Sequence, residues 1–545
     1  MADLLQVATK RNPHLKVYLA EFRKSTNTEP KFVEALSRDM GRQEEANFIY
    51  PVGDPIFIHV YGSKHAEKSY TAIEPILERE SKEQYDSVLD RILVDSAKKA
   101  VHSTKEEYEA VIDEILEEAI KIVESDKEKP KKARKNPVGK KSFYLTQVEF
   151  DSIEYYIKRN IIENGRIEPF LRDPYIEDIH CIGMRDLSII HKVFGSLNTN
   201  IKYENVEELE AFVKMMSERI GRPATMTRPI IDGALPDGSR INIIFASDVS
   251  IGGPSFTIRK FSTEPLSIIQ LMRWKTISSL AAAYLWVCLE NGMSVFVCGE
   301  TASGKTTLLN AIFPFIRYDQ KVYTAEDTLE VQPPHKVWQQ LSTREFGPEE
   351  SRVDAFALLK AALRSRPDYI VVGEIRGKEG NVAFQAMQIG NAVMATFHAS
   401  SIKRMIQRFA SPPISVPVTS MDSLNVAVFL SAVYRKGSFL RRSISVDEIL
   451  GYNKTMGGVM TRSVFVWNPS TDEQIFRGMN NSYVLEEKIA PTLGYKDKRK
   501  IYVDMNLRQK ILEKMSEHDI VSYKDVNEVI VAFQKEGVEG LPFPL

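Results

Sequence analysis

The residues best suited to chemistry lie in the run Gly299–Thr306, Gly-Glu-Thr-Ala-Ser-Gly-Lys-Thr, which has the spacing G-x-x-x-x-G-K-[ST]. Two glycines let successive backbone N–H groups turn inward around a β-phosphate, and the following helix start adds partial positive charge. In such a loop the lysine, here Lys305, reaches the β- and γ-phosphates, and the hydroxyl of Thr306 ligates magnesium. The flanks are the ones this loop needs. Ser294–Cys298 (SVFVC) is a short apolar, β-branched run that reads as a buried strand, and Thr306–Phe315 reads as a helix. Gly299, Glu300, Thr301, Ala302, Ser303, Gly304, Lys305, Thr306 and Thr307 are therefore the expected contacts of ATP bound with Mg2+.

Three further segments could complete a phosphoryl-transfer site. Asp368–Arg376 (DYIVVGEIR) reads as a second buried strand ending in Gly373-Glu374, and Glu374 is expected at the edge of the strand beside the phosphate loop, polarising water. The aspartate that would steady magnesium at that edge is replaced by Gly373, so another acid must serve the metal. Glu326 and Asp327, following the strand Lys321–Thr324, are the expected suppliers; the same pair would also suit a helix N-cap. His398 ends the apolar run Ala392–Phe397. A lone histidine often only satisfies structure, but the C-terminal edge of a parallel sheet is where ligands bind, which suits a γ-phosphate sensor.

The elements that must position these groups follow from length and pattern. A chain of 545 residues exceeds what one core supports, roughly 250–300 residues, so several domains are expected. We expect a partly helical N-terminal domain (1–125), a basic linker (126–142), a smaller α+β domain (143–264) and a C-terminal ATPase domain (265–545). In the last, strand and helix patterns alternate as a doubly wound parallel sheet requires. The linker, DKEKPKKARKNPVGKKS, has almost no apolar side chains and would also suit anionic lipid headgroups. Glu106–Glu124 carries an apolar stripe, read as packing within its own domain or docking a partner. PDGSR at Pro236–Arg240 reads as a hairpin turn. A net charge of −1 gives no global pull toward nucleic acid, and three cysteines cannot form a four-cysteine zinc module. With no apolar run long enough for a signal peptide or membrane span, a cytoplasmic protein is expected, reaching the membrane through a partner.

Taken together, GETASGKTT, AEDTLE, RPDYIVVGEIRG and ATFHAS occur in an order that resembles the Walker A, Asp box, Walker B and His box of the secretion ATPase superfamily. That superfamily serves type II and type IV secretion, type IV pili and the archaellum. The resemblance runs from about residue 145 to the end and includes IIENGRIEPFLRDPYIEDIHCIG, RPIIDGALPDGSRINIIF and FTIRKF. The wording GETASGKTT and the ending LRQKILEKMSEHDIVSYKDVNEVI are most similar to the archaellum assembly and motor ATPases, with archaeal pilus ATPases nearly as similar.

The resemblance implies an α/β fold with a RecA-like ATPase domain. It also implies a ring, read as a hexamer, with nucleotide held between subunits. Arg240 and Arg259 would then face a neighbour's phosphates, the alternative being salt bridges within their own domain. The implied partners are copies of the chain, a polytopic membrane platform protein and archaellum accessory proteins, with no nucleic acid expected. Adhesion-pilus assembly or type II/IV-like secretion stays open as an alternative. A regulatory nucleotide-binding module without turnover is disfavoured by Glu374, and a nucleic-acid translocase by the lack of a basic-aromatic surface in the motor region.

Overall fold

The computed structural model describes residues 2–37, 40–41, 43, 45–62, 67–77, 79–96, 104–124, 142–246, 248–260, 264–344, 349–435 and 438–545. The expected linker, apart from Ser142, lies outside them. The chain divides into two compact units, Met1–Phe261 and Ser262–Leu545.

In the first unit the strands are β1 (Lys31–Phe32), β2 (Ala46–Pro51), β3 (Phe57–Gly62), β4 (Ser69–Ile73), β5 (Ile120–Ile122), β6 (Phe143–Leu145), β7 (Ile176–Ile182), β8 (Ser188–His191), β9 (Gly195–Thr199), β10 (Ile230–Ala234), β11 (Arg240–Ile244) and β12 (Ser255–Arg259). Ten of them form one sheet in the order β1-β2-β3-β4-β9-β8-β7-β12-β11-β10, and β5 pairs with β6. This corrects the expected separation of 1–125 from 143–264. The seam is β4 against β9, with Tyr70 opposite Thr199. Asn200 reinforces it by accepting from the Ala72 N–H at 2.9 Å and donating to the Ala72 carbonyl at 3.1 Å.

A buried carboxylate ties the same two segments together. Asp173 Oδ2 accepts from the hydroxyls of Tyr50 (2.7 Å) and Tyr70 (3.0 Å), and Oδ1 accepts from the Tyr175 N–H at 2.8 Å. Helix α1 (Lys105–Ala119) starts at a Thr104–Glu107 capping box. Its Val111, Ile112, Ile115 and Leu116 pack on Leu145 and on Ile153 and Ile157 of α2 (Gln147–Ile157), so the stripe serves its own unit. Beyond α3 (Val206–Arg219), the β10–β11 hairpin closes through the Leu235 N–H to the Ser239 carbonyl, with Gly238 at φ 85°.

The second unit contains β13 (Val295–Gly299), β14 (Val322–Glu326), β15 (Trp338–Ser342), β16 (Tyr369–Ile375), β17 (Ala392–Phe397), β18 (Val426–Arg435), β19 (Ser438–Asn453), β20 (Gly458–Asn468) and β21 (Glu473–Phe476). Their order is β15-β14-β16-β17-β13-β18-β19-β20-β21. Neighbours from β15 to β18 run parallel, and those from β18 to β21 antiparallel.

Both faces of the inner parallel strands β13, β16 and β17 are covered, which is why they read as apolar runs, whereas the edge strand β15 is polar and largely exposed. Val295 and Val297 pack toward α4 (Ser279–Glu290), with α9 (Ile501–Glu517) and α10 (Tyr523–Glu536) in the same core. Phe296 and Cys298 face the other core, built from α6 (Ala355–Ser365), α7 (Glu379–Gln388) and α8 (Ile402–Ala410). Helix α5 (Lys305–Ala311) follows the phosphate loop and is shorter than the sequence suggested, passing into a 3-10 turn at Phe313–Phe315. This is the α/β, RecA-like doubly wound sheet, extended by an antiparallel ribbon. Among the described residues, no helix is long and apolar enough to cross a membrane.

Candidate active site

The loop after β13 is shaped by contacts that only small residues permit. A Cβ on Gly299 would approach the Leu430 carbonyl oxygen and Ser303 Oγ at 2.5 Å each. Gly304 sits at φ 92° and Ala302 at φ 60°, the left-handed turn that aims the backbone inward. Buried Ser303 donates to the Glu300 carbonyl at 2.8 Å, while Glu300, Thr301 and Ala302 are exposed and Thr306 and Thr307 half-buried. Lys305 opens α5, and its Nζ donates to the Glu300 carbonyl at 3.1 Å. Burial lowers the pKa of this amine, opposed by Glu374. From β19, Arg441 braces the loop by donating to the Ala302 carbonyl at 2.9 Å. Nothing local in the sequence marks that arginine, since it arrives from an antiparallel strand more than a hundred residues away.

The strand register places the other groups along one edge. Cys298 is opposite Phe397, so His398 follows β17 next to Gly299. The strand beside the phosphate loop is thus β17, not the Glu374 strand β16, as the sequence had suggested. A bulge brings Glu374 back within reach. Between Val372 and Ile375 the β16–β17 register slips, because their partners are Ala395 and Phe397. Thr396 fixes the bulge by donating to the Gly373 carbonyl at 2.6 Å.

Glu374 Oε1 then lies 2.8 Å from His398 Nε2, which is 3.4 Å from Lys305 Nζ. Burial and the Lys305 charge lower the His398 pKa, against the pull of Glu374. A neutral imidazole at this distance donates its Nε2–H to the carboxylate, and the longer lysine contact is then an approach rather than a hydrogen bond. The other carboxylate oxygen pairs with Arg376. Glu379, at the start of α7, holds the following turn by accepting from the Arg376 and Gly377 N–H groups, another role invisible in the sequence.

Glu326 ends β14 and is 2% exposed. Gly373 is what admits it, because a Cβ there would meet Glu326 Cγ at 3.1 Å. Its Oε2 accepts from the N–H groups of Glu330 (2.7 Å) and Val331 (2.8 Å). Its Oε1 is buried and makes no hydrogen bond of good geometry, although the Gln340 side chain is near enough to the carboxylate to favour its charged form. Burial raises the carboxyl pKa to about 7. No helix starts here, so the N-cap alternative falls away.

Among the described residues no three His, Cys, Asp or Glu cluster as a closed metal cage. A buried carboxylate oxygen without a hydrogen bond of good geometry nevertheless fits a cation that keeps most of its water and is also held by phosphate. Asp327 is exposed, with its Oδ1 accepting from Thr343 Oγ1 at 3.2 Å, and suits that role less well.

Arg240 and Arg259 belong to the first unit, where they are cross-strand neighbours. Arg259 Nε is 3.1 Å from Asp178 Oδ1, and Arg240 is 3.9 Å from Asp232, with both arginine side chains largely exposed.

The family model of the type II/IV secretion system proteins matches residues 163–424. The conjugal transfer protein TrbB of Rhizobium radiobacter is 30% identical over 249 residues, 45% of this chain and 75% of that protein. The chain belongs to the type II/IV secretion system protein family. An uncharacterized protein of Methanocaldococcus jannaschii is 51% identical over 542 residues, covering 99% of this chain and 98% of that one. Among solved structures, the Legionella pneumophila ATPase DotB aligns at 16% identity and a TM-score of 0.38, over 66% of this chain and 93% of its own.

Proposed function

We propose that this member of the type II/IV secretion family hydrolyses ATP with Mg2+, and that a ring of its copies drives assembly of an archaeal type IV pilus-like filament, the archaellum, with rotation of that filament as a second output. The observation that carries the hydrolytic part is the array Lys305–His398–Glu374 beside a glycine loop that admits no larger side chain at Gly299. A nucleotide-binding switch has no need of a carboxylate oriented in this way.

Lys305 exchanges its hold on the Glu300 carbonyl for the β- and γ-phosphates, with loop N–H groups on the bridging oxygens. Glu374 orients water and takes its proton as the new P–O bond forms. The bond to the β–γ bridging oxygen breaks, and ADP leaves with that oxygen. His398 holds the Glu374 carboxylate and lies against Lys305, so it responds to the γ-phosphate as a sensor. Thr306 and Glu326 would hold Mg2+, with Asp327 at the periphery. When bound, the ion would supply positive charge against the phosphates.

The site belongs to the C-terminal unit, which we take as the motor domain. Arg240 and Arg259 are directly opposite one another in the first unit, and both keep much of the side chain exposed beside a carboxylate of their own unit. We assign them to a neighbouring subunit's phosphates in a head-to-tail ring, a hexamer at the cytoplasmic face of the membrane. A polytopic membrane platform protein and archaellum accessory proteins would be its partners. The 51% identity to a Methanocaldococcus jannaschii protein favours an archaeal setting. The similarity to a conjugal transfer protein favours the second reading, type II/IV-like secretion, adhesion pili included.

Mixing tests the shared site. Lys305→Ala and Arg240→Ala are each expected to be inactive alone. Mixed rings contain interfaces with an intact loop and an intact arginine, so phosphate release should reappear and rise with protein concentration. Wild-type turnover in Lys305→Ala would overturn the nucleotide site. Silence at every ratio, while subunits exchange, would overturn the arginine in trans.

A further inference from the structure

We infer that Asn310 is a positioning residue for Glu326, and that it ties the setting of this carboxylate to the phosphate-loop helix and to the C-terminal helix α10. The inference rests on the ATPase reading above and deepens it.

Asn310 lies on α5, the same short helix that begins with Lys305, and is 8% exposed. Its side chain spends both ends on one stretch of backbone. Nδ2 donates to the Glu330 carbonyl at 2.9 Å, and Oδ1 accepts from the Gln332 N–H at 2.8 Å. The same stretch presents the Glu330 and Val331 N–H groups to Glu326 Oε2. Residues 330–332 are therefore clamped between a carboxamide and the carboxylate.

A carboxamide can donate and accept at these two points at once; a carboxylate lacks the donor and an aliphatic chain lacks both. The clamp commits one oxygen of Glu326, while the other makes no hydrogen bond of good geometry within the protein. The close approach at Gly373 restricts any other placement of the side chain.

A third tie comes from α10. Buried Tyr523 places its hydroxyl 3.2 Å from the Asn310 carbonyl and 3.3 Å from the Gln332 carbonyl. Motion of the phosphate-loop helix therefore reaches residues 330–332 through the Asn310 side chain, and motion of α10 reaches them through Tyr523, both at the Asn310 backbone and directly at Gln332. A residue that merely filled space at the end of α5 would not hold this loop at two points.

The test uses the full chain. Hydrogen exchange is measured at the Glu330 and Val331 amides, together with steady-state ATPase kinetics. In Asn310→Ala these two amides should exchange roughly tenfold faster while the β16 amides are unchanged. The kcat should fall about tenfold with KM for Mg-ATP within about twofold, the pattern of a group needed in the transition state rather than in binding. Tyr523→Phe removes only a hydroxyl and should shift both readouts in the same direction by about two- to threefold. If Asn310→Ala does not fold, Asn310→Asp, which keeps the acceptor for the Gln332 N–H and loses the donor to the Glu330 carbonyl, decides in its place. Unchanged exchange at 330 and 331, unchanged kcat, or a loss confined to KM overturns the positioning role. Lys305→Ala run alongside separates the two levels. Wild-type turnover in that variant brings down the ATPase reading and this inference with it, whereas an inactive Lys305→Ala beside an unaltered Asn310→Ala overturns only the clamp.

Discussion

Two buried carboxylates, one in each unit, sit in comparable seclusion and do opposite things with it. Asp173 is fully buried and Glu326 is 2% exposed, and burial raises the pKa of both. Asp173 spends its capacity inside the protein, on two tyrosine hydroxyls and a backbone N–H that join segments from either side of the expected linker. Glu326 accepts two N–H groups on one oxygen and none with good geometry on the other. A buried acid with all its bonds made is a fastener. One with an oxygen left over is poised for something that arrives later.

Deleting residues 1–142 is the harshest way to break this comparison. It removes Tyr50 and Tyr70 from Asp173 and strips β9 of its β4 partner. The remaining part of the first unit should lose its cooperative melting, while the second unit keeps its nucleotide affinity, measured with a fluorescent ATP analogue. A truncated first unit that melts as sharply as in the full chain would contradict the fastening role.

Asp173→Ala asks the same question with one side chain. Two buried hydroxyls lose their acceptor, so the first unit should lose on the order of 3–5 kcal/mol. Its melting transition reports this, and no change would reclassify Asp173.

Glu326→Gln should move stability the other way. The fold prefers the protonated carboxyl, whose pKa rises from 4.5 to about 7 on folding. That contribution is complete below the unfolded value and is lost as pH rises through the folded one. Without metal, the second unit should therefore weaken between about pH 5 and pH 8, by at most on the order of 3 kcal/mol. Glu326→Gln should flatten this dependence and melt higher at pH 8, yet turn over poorly. A parallel pH dependence in wild type and variant would show that Glu326 is not the strained group.

Much of the site was legible because its signals are local. The apolar run Ala392–Phe397 is strand β17 residue for residue, and the glycine loop stands between the strand and the helix that its motif requires. What stayed hidden is non-local. Parallel strands join through crossovers, so nothing in DYIVVGEIR reveals that β17 separates it from β13. The bulge at Gly373–Glu374 exists only as a mismatch between two strands. The missing aspartate at Gly373 was visible, but its reason was not: Glu326 occupies the space. Arg441 and Asn310 matter through partners far along the chain. The ten-stranded sheet was missed because a lysine-rich stretch with two prolines looks like a boundary between domains, whereas β4 and β9 pair across it.

The most direct measurement of the central claim is single-turnover hydrolysis by Glu374→Gln beside equilibrium ATP binding. The amide keeps the shape and can still accept from His398, but it cannot take up a proton. The account expects affinity for Mg-ATP within about threefold of wild type and a hydrolysis step slowed at least about 100-fold. Hydrolysis at the wild-type rate with intact binding would contradict it and move the chemistry away from the Lys305–His398–Glu374 edge.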